Sequence, residues 1–188
     1  LRANDLIWSF VVNNYLMGKD PFPFDLLYWN SDSTRMPAAM HSFYLRNMYL
    51  GNQLKEPGGI TLGGVKIDLS KVKTPCYFIS TIEDHIAPWK STYSGARHFG
   101  GNVRFVLGGS GHIAGIVNPP SPKAKHWTNP TEHPVDPAQW LAGAQLHDET
   151  WWKNWVRWIP DHAGDLIPAP RVHGNADYPP LGDAPGSY

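Results

Sequence analysis

The sequence predicts an α/β fold in which strands begin only after a helical front segment. Three observations support this. Two β-rich apolar runs, Val72 to Ser80 (VKTPCYFIS) and Val103 to Leu107 (VRFVL), are separated by a helix candidate from Trp89 to Phe99. Ahead of them the apolar residues recur at helical spacing. Behind each run stands a loop with chemistry-bearing groups, Glu83-Asp84-His85 after the first and Gly108-Gly109-Ser110-Gly111-His112 after the second.

In chain order, Leu6, Phe10, Val11 and Leu16 place one short helix over Asp5 to Leu16, with Gly18 at its stop. The stretch Pro21 to Pro37 has proline at both ends and turn-forming residues from Asn30 to Thr34, so it reads as an ordered loop with a short helical piece. Met40 to Leu54 reads as a second helix, closed by Pro57-Gly58-Gly59. The period changes at Ile60, where ITLGGVKIDL alternates around a Gly63-Gly64 pair, a hairpin signal. After the two strands, the prolines between Asn118 and Pro137 exclude regular structure there. Helical spacing resumes over Trp140 to His147 and Thr150 to Ile159, with Trp151, Trp155 and Trp158 on one face. A Pro/Gly-rich tail follows Pro160. The domain boundary falls near residue 58, giving units 1–58 and 59–188.

The 188 residues are 41% hydrophobic and 17% charged, a globular composition. Basic and acidic residues balance at 16 each and no basic patch stands out, which argues against a nucleic-acid partner. The longest apolar stretch, Leu6 to Val12, is interrupted by Ser9 and falls far short of the roughly 20 residues that span a bilayer. Neither a secretory signal nor a disulfide framework is expected, because the chain opens without a basic-then-apolar pattern and has a single cysteine. A soluble protein of a reducing cytoplasm fits. The start at Leu1 without Met raises the expectation of a piece of a longer protein. Nine Trp and eighteen Pro suggest either a core filled by aromatics, the favoured reading, or anchors meeting apolar material.

Functional groups in open α/β sheets collect beyond the carboxyl ends of the strands, where Asp84 and His112 both fall. The order strand, acidic loop, helix, strand, histidine loop is that of the closing half of an α/β-hydrolase, whose triad runs nucleophile, acid, histidine. A histidine must reach the nucleophile, and a carboxylate must orient it and stabilise its protonated form. The spacing is equally compatible with Asp84 capping the following helix and His112 packing against its turn. His85 is an auxiliary base candidate, though Pro88-Trp89 behind it suggests a structural loop.

Other chemistries fare less well. Gly109 to Ala114 satisfies G-x-G-x-x-A, but Asn118-Pro119-Pro120 prevents the long helix a dinucleotide needs. His112, His126, His133 and His147 lack the short paired spacing of metal ligands, so no metal is expected. Cys76 lies inside an apolar strand, ahead of the acid and without a G-x-C-x-G turn, which marks it as structural. No Ser occupies a G-x-S-x-G elbow. The nucleophile is expected outside this chain.

The segments Asn13 to Leu16 (NNYL), Phe24 to Pro37 (FDLLYWNSDSTRMP), Glu83 to Trp89 (EDHIAPW), Ser110 to Pro120 (SGHIAGIVNPP) and Thr150 to Trp158 (TWWKNWVRW) together resemble the C-terminal part of polyhydroxyalkanoate synthases, especially the short-chain class. The resemblance runs from the start to about residue 160. It implies the later part of an α/β-hydrolase core with the end of a helical cap over 1–58, and a Cys-His-Asp triad. Asp84 then matches the family's aspartate and His112 its histidine, while the cysteine lies upstream. The activity implied is polymerisation of (R)-3-hydroxyacyl-coenzyme A, 3-hydroxybutyryl-coenzyme A above all, into polyester with release of coenzyme A. The thioester is the substrate, and no cofactor is expected. The resemblance also implies a homodimer formed through the cap, the upstream part of the same protein as partner, and a cytoplasmic location at polyester granules. Phe24 and Trp29 become substrate-channel candidates, with ordinary packing as the rival reading. Two alternatives stand beside this: an esterase or polyester depolymerase on the same scaffold, and a non-catalytic module for dimerisation or granule attachment.

Overall fold

The computed structural model describes residues 8–21, 33–121, 123–129, 133–170 and 172–183. The chain divides into two compact units, Leu1–Trp151 and Trp152–Tyr188. The architecture of the first is mixed α/β. Its strands form a two-stranded ribbon, Thr61–Leu62 (β1) with Val65–Lys66 (β2), and a four-stranded sheet of Cys76–Thr81 (β3), Val103–Gly108 (β4), His126–Thr128 (β5) and Gln145–His147 (β6), in the order β3-β4-β5-β6.

The front segment is helical, and the helix expected over Asp5 to Leu16 is unbroken over its described residues, 8–16. Val11–Leu16 forms a wide π-type turn. The helix expected over Met40 to Leu54 is instead α1 (Ala38–Tyr44), a π-type continuation (Leu45–Leu50) and a 3-10 turn (Gln53–Lys55). Asn52, with φ 45°, breaks the path between the last two. The ribbon forms as expected: Gly63 and Gly64 both have positive φ, 55° and 81°, as a two-residue hairpin turn of this twist requires.

β3 and β4 run parallel, pairing from Cys76 with Val103 to Thr81 with Gly108. Parallel neighbours need a crossover, and α2 (Trp89–Ala96) supplies it. Its Trp89, Tyr93 and Ala96, at helical spacing, are the buried face. They meet Phe105 and Leu107 of β4 and Trp140 of α4 (Pro137–Ala142) in one core. The aromatics pack edge to face: ring centroids are 5.1 Å apart for both Tyr93–Phe105 and Phe105–Trp140, with planes 83° and 89° apart. Each such pair contributes about 0.5–1.5 kcal/mol beyond burial alone. The buried Tyr93 hydroxyl donates to the Pro134 carbonyl at 2.7 Å, which fastens the loop ahead of α4 to the core.

Two expectations need correction. The proline-rich stretch Asn118 to Pro137 was expected to hold no regular structure, yet β5 sits within it, paired antiparallel to β4 and to β6. The run 123–129 between Pro122 and Pro130 contains no proline, so its amides are available to two neighbours. The helix expected over Trp140 to His147 starts earlier and stops sooner. Asp136 caps it by accepting the Ala138 amide at 2.8 Å, Pro137 occupies its first turn, and it ends at Gly143. Gln145–His147 then joins the sheet, because His147 finds a strand partner in His126.

In the second unit, α5 (Trp151–Trp158) continues from the last residue of the first unit, and α6 (Pro160–Ala163) follows. Within it Trp152 and Trp155 stack edge to face at 6.5 Å, and the Trp158 ring lies 4.4 Å from that of His162. The helix expected over Thr150 to Ile159 is present over Trp151–Trp158. The tail beyond Gly164 has no regular structure among its described residues, and Leu166, Ile167 and Leu181 are exposed. No helix among the described residues is long and apolar enough to cross a membrane.

Candidate active site

Parallel pairing of β3 and β4 puts both of their carboxyl ends at one edge of the sheet. The ladder extends past the strands: the Ile82 amide donates to the Gly108 carbonyl at 2.9 Å and the Glu83 amide to the Ser110 carbonyl at 3.1 Å. The acidic loop and the histidine loop are thus stitched to each other before either side chain is considered.

Asp84 then turns back on its own loop. One carboxylate oxygen, Oδ1, accepts the backbone amides of Ile86 at 2.9 Å and Ala87 at 2.8 Å, a local Asx turn. The other, Oδ2, lies 2.8 Å from Nδ1 of His112. The Asp84 side chain is only 8% exposed and that of His112 is 40% exposed, so the pair has a buried acid and an open base. Burial is the largest single influence on the carboxyl and acts to raise its pKa. The amide of Ala87, the imidazole, the amide of Ile86 and the charge on His112 together outweigh it, leaving Asp84 below the ordinary carboxylate value. An ionised carboxylate only accepts, so Nδ1 carries the hydrogen facing it and Nε2 keeps a lone pair. The arrangement can accept a proton at Nε2 and stabilise the resulting imidazolium.

Several residues that sequence reasoning did not single out hold this geometry. Thr81, the last residue of β3, is fully buried and its hydroxyl donates to the Gly111 carbonyl at 3.2 Å, one residue before His112. The short helix α3 (Ala114–Val117) follows His112, and the Trp151 indole donates to the Gly115 carbonyl at 3.1 Å. A Cβ on Gly115 would collide with the Thr81 methyl and the Gly109 carbonyl, so glycine there permits α3 to approach the strand end. The pairings join residues far apart in the chain, and single-sequence periodicity carries no signal for them. Ser110 carried no signal either: among Gly109, Ser110 and Gly111, where residue preference points to a glycine, the non-glycine is the residue with positive φ, 71°.

The remaining candidates lie elsewhere. His85 is exposed on the acidic loop. Cys76 starts β3, and the strand rise puts it roughly 16 Å from Thr81, at the end from which the Asp84 loop leaves. Its thiol donates to the Thr74 carbonyl at 3.2 Å. Phe24 and Trp29 lie outside the described residues. Among the described residues no group of three or more His, Cys, Asp or Glu side chains is arranged to hold a metal ion.

No family model matches the chain. Among curated proteins, it is 53% identical over 190 residues to the poly(3-hydroxyalkanoate) polymerase of Methylorubrum extorquens, covering 100% of this chain and 31% of that protein. The poly(3-hydroxyalkanoate) polymerase subunit PhaC of Cupriavidus necator is 48% identical over 189 residues, with 100% of this chain and 32% of the relative covered. The corresponding subunit of Rhizobium meliloti is 51% identical over 189 residues, with 100% and 30% covered. The chain thus spans about a third of the length of the relatives it matches. Identity near one half over the whole of this chain shows that it belongs to the poly(3-hydroxyalkanoate) polymerase family.

Proposed function

We propose that the chain supplies the acid and base of an acyl-transfer centre that polymerises (R)-3-hydroxyacyl-coenzyme A into polyhydroxyalkanoate, on a core of α/β-hydrolase type. The observation that carries this reading is the 2.8 Å bond between buried Asp84 and open His112 at adjacent strand ends, in a chain whose relatives are polymerases. Nε2 of His112 takes the proton of a cysteine thiol contributed by a part of the protein beyond this chain, because thiolate is the nucleophile. The thiolate attacks the thioester carbonyl, coenzyme A leaves as a thiol after protonation by the imidazolium, and the acyl group remains on the cysteine. The 3-hydroxyl of the next unit then attacks that acyl group, losing its proton to the same base or to Asp84; the ester forms as the thioester bond to the cysteine breaks and the sulfur leaves as thiolate. Asp84 keeps the ring in the tautomer both steps require.

The same reading takes residues 1–58 as the end of a cap through which two copies pair, and places the protein in the cytoplasm at the surface of its own polyester. In the full-length protein, His112→Gln should abolish coenzyme A release from 3-hydroxybutyryl-coenzyme A, including the first stoichiometric turnover, while leaving the unfolding transition in place. A folded His112→Gln protein that still releases one equivalent of coenzyme A would remove His112 from the acylation step.

A further inference from the structure

Beside the histidine loop lies a small pocket of about 230 Å³. Its walls include Ser110, Asn118, Lys123 and Lys125, with Thr150 and Trp151 as the most buried members. No carboxylate lines it. Among the described residues neither Lys123 nor Lys125 has a carboxylate within ion-pair distance, so two positive charges two residues apart stand uncompensated. Ser110 adds a second, independent peculiarity. Its φ of 71° is a conformation glycine adopts freely and serine adopts at a cost, yet glycine stands on either side of it and not at it. Ser110 thus lines the pocket at a strained backbone position, and strain of this kind clusters where ligands are held.

The volume is below that of pockets that enclose drug-sized molecules, so the site suits a compact group rather than a whole nucleotide. Two ammonium groups and a hydroxyl, with no carboxylate among the lining residues, make a donor set for an oxyanion, and lysine binds phosphate as a point charge. We propose that this pocket is a subsite for a phosphate group, that of the coenzyme A donor, held by Lys123, Lys125 and the Ser110 hydroxyl. The identity of the donor rests on the acyl-transfer reading above; the anion chemistry of the pocket does not. The subsite would seat the charged end of the donor against the loop that carries His112, so that donor binding and base position are set by one segment.

The test uses the full-length protein and its double variant Lys123→Gln/Lys125→Gln, which keeps the side-chain stems and their packing. Calorimetric titration with pyrophosphate and with coenzyme A should show saturable binding that the variant weakens by roughly tenfold or more, as loss of charged hydrogen bonds implies. Absence of saturable binding, or equal affinity in both proteins, overturns the subsite. Turnover is then compared for 3-hydroxybutyryl-coenzyme A and for the phosphate-free 3-hydroxybutyryl-pantetheine thioester. A KM raised for the first donor alone, with kcat kept, supports the assignment. Pyrophosphate binding lost with both KM values unchanged overturns the assignment to the donor and leaves a site for free phosphate. If the unmodified protein turns over neither donor, the acyl-transfer reading fails, and titration alone decides the subsite.

Discussion

Replacing Asp84 by Asn changes one atom and separates its structural from its electronic role. The Asn carbonyl oxygen can take the place of Oδ1 and keep both loop bonds, from Ile86 at 2.9 Å and Ala87 at 2.8 Å. The new amide group then faces His112 across the 2.8 Å contact. Two donors cannot share that bond, so the ring adopts the tautomer with its hydrogen on Nε2 and loses the lone pair by which the proposed mechanism takes up a thiol proton. An Asp-to-Asn change in an analogous triad costs about 10⁴ in turnover with geometry intact. At about 1.36 kcal/mol per factor of ten this is about 5.4 kcal/mol of transition-state stabilisation. All three contacts can persist, but each becomes a bond to a neutral group, so the fold should weaken by about 1–3 kcal/mol, the order of the difference between charged and neutral hydrogen bonds. Initial rates of coenzyme A release, read with a thiol reagent on the full-length protein, and urea unfolding of the same samples measure the two numbers. A folded Asp84→Asn protein within tenfold of the unmodified rate would refute the tautomer argument. Asp84→Ala provides the contrast, since it also strands the two loop amides and should cost more stability for a similar loss of rate.

Thr81→Val keeps the shape of a fully buried side chain and leaves the Gly111 carbonyl without its donor, so stability should fall by about 1–3 kcal/mol; Thr81→Ser, which keeps the hydroxyl, should lose the methyl contact but retain more of the turnover. Gly115→Ala drives a methyl into Thr81 and the Gly109 carbonyl, and the strain should cost about 1–3 kcal/mol in urea unfolding while displacing His112, so unchanged stability would argue against the close approach of α3. Acid unfolding reports on Asp84: its folded pKa lies below the ordinary value, so its stabilisation is complete above the unfolded value of about 3.9 and is lost as pH falls through the folded value. The Asp84→Asn protein should therefore have a shallower acid limb in that range, and identical limbs would contradict the depressed pKa.

The α/β character, the Gly63-Gly64 hairpin, the crossover helix and the loops carrying Asp84 and His112 were all legible in the sequence, because each rests on local periodicity or on a residue whose backbone preference is strong. Glycines with positive φ and alternation around them leave few options for a ribbon, and a run such as Val103 to Leu107 has only one use in a small core. The resemblance of EDHIAPW and SGHIAGIVNPP to a known family supplied the chemistry that the spacing left open. What the tertiary structure alone decided was pairing. β5 and β6 are too short and too polar to announce themselves, and they exist because β4 offers an edge and His126 meets His147 across it. Likewise the Asp84–His112 bond, the Thr81 hydroxyl under Gly111 and the separation of Cys76 from the site all follow from the parallel register of β3 on β4. Register is a property of two segments in contact, and no reading of either segment by itself contains it.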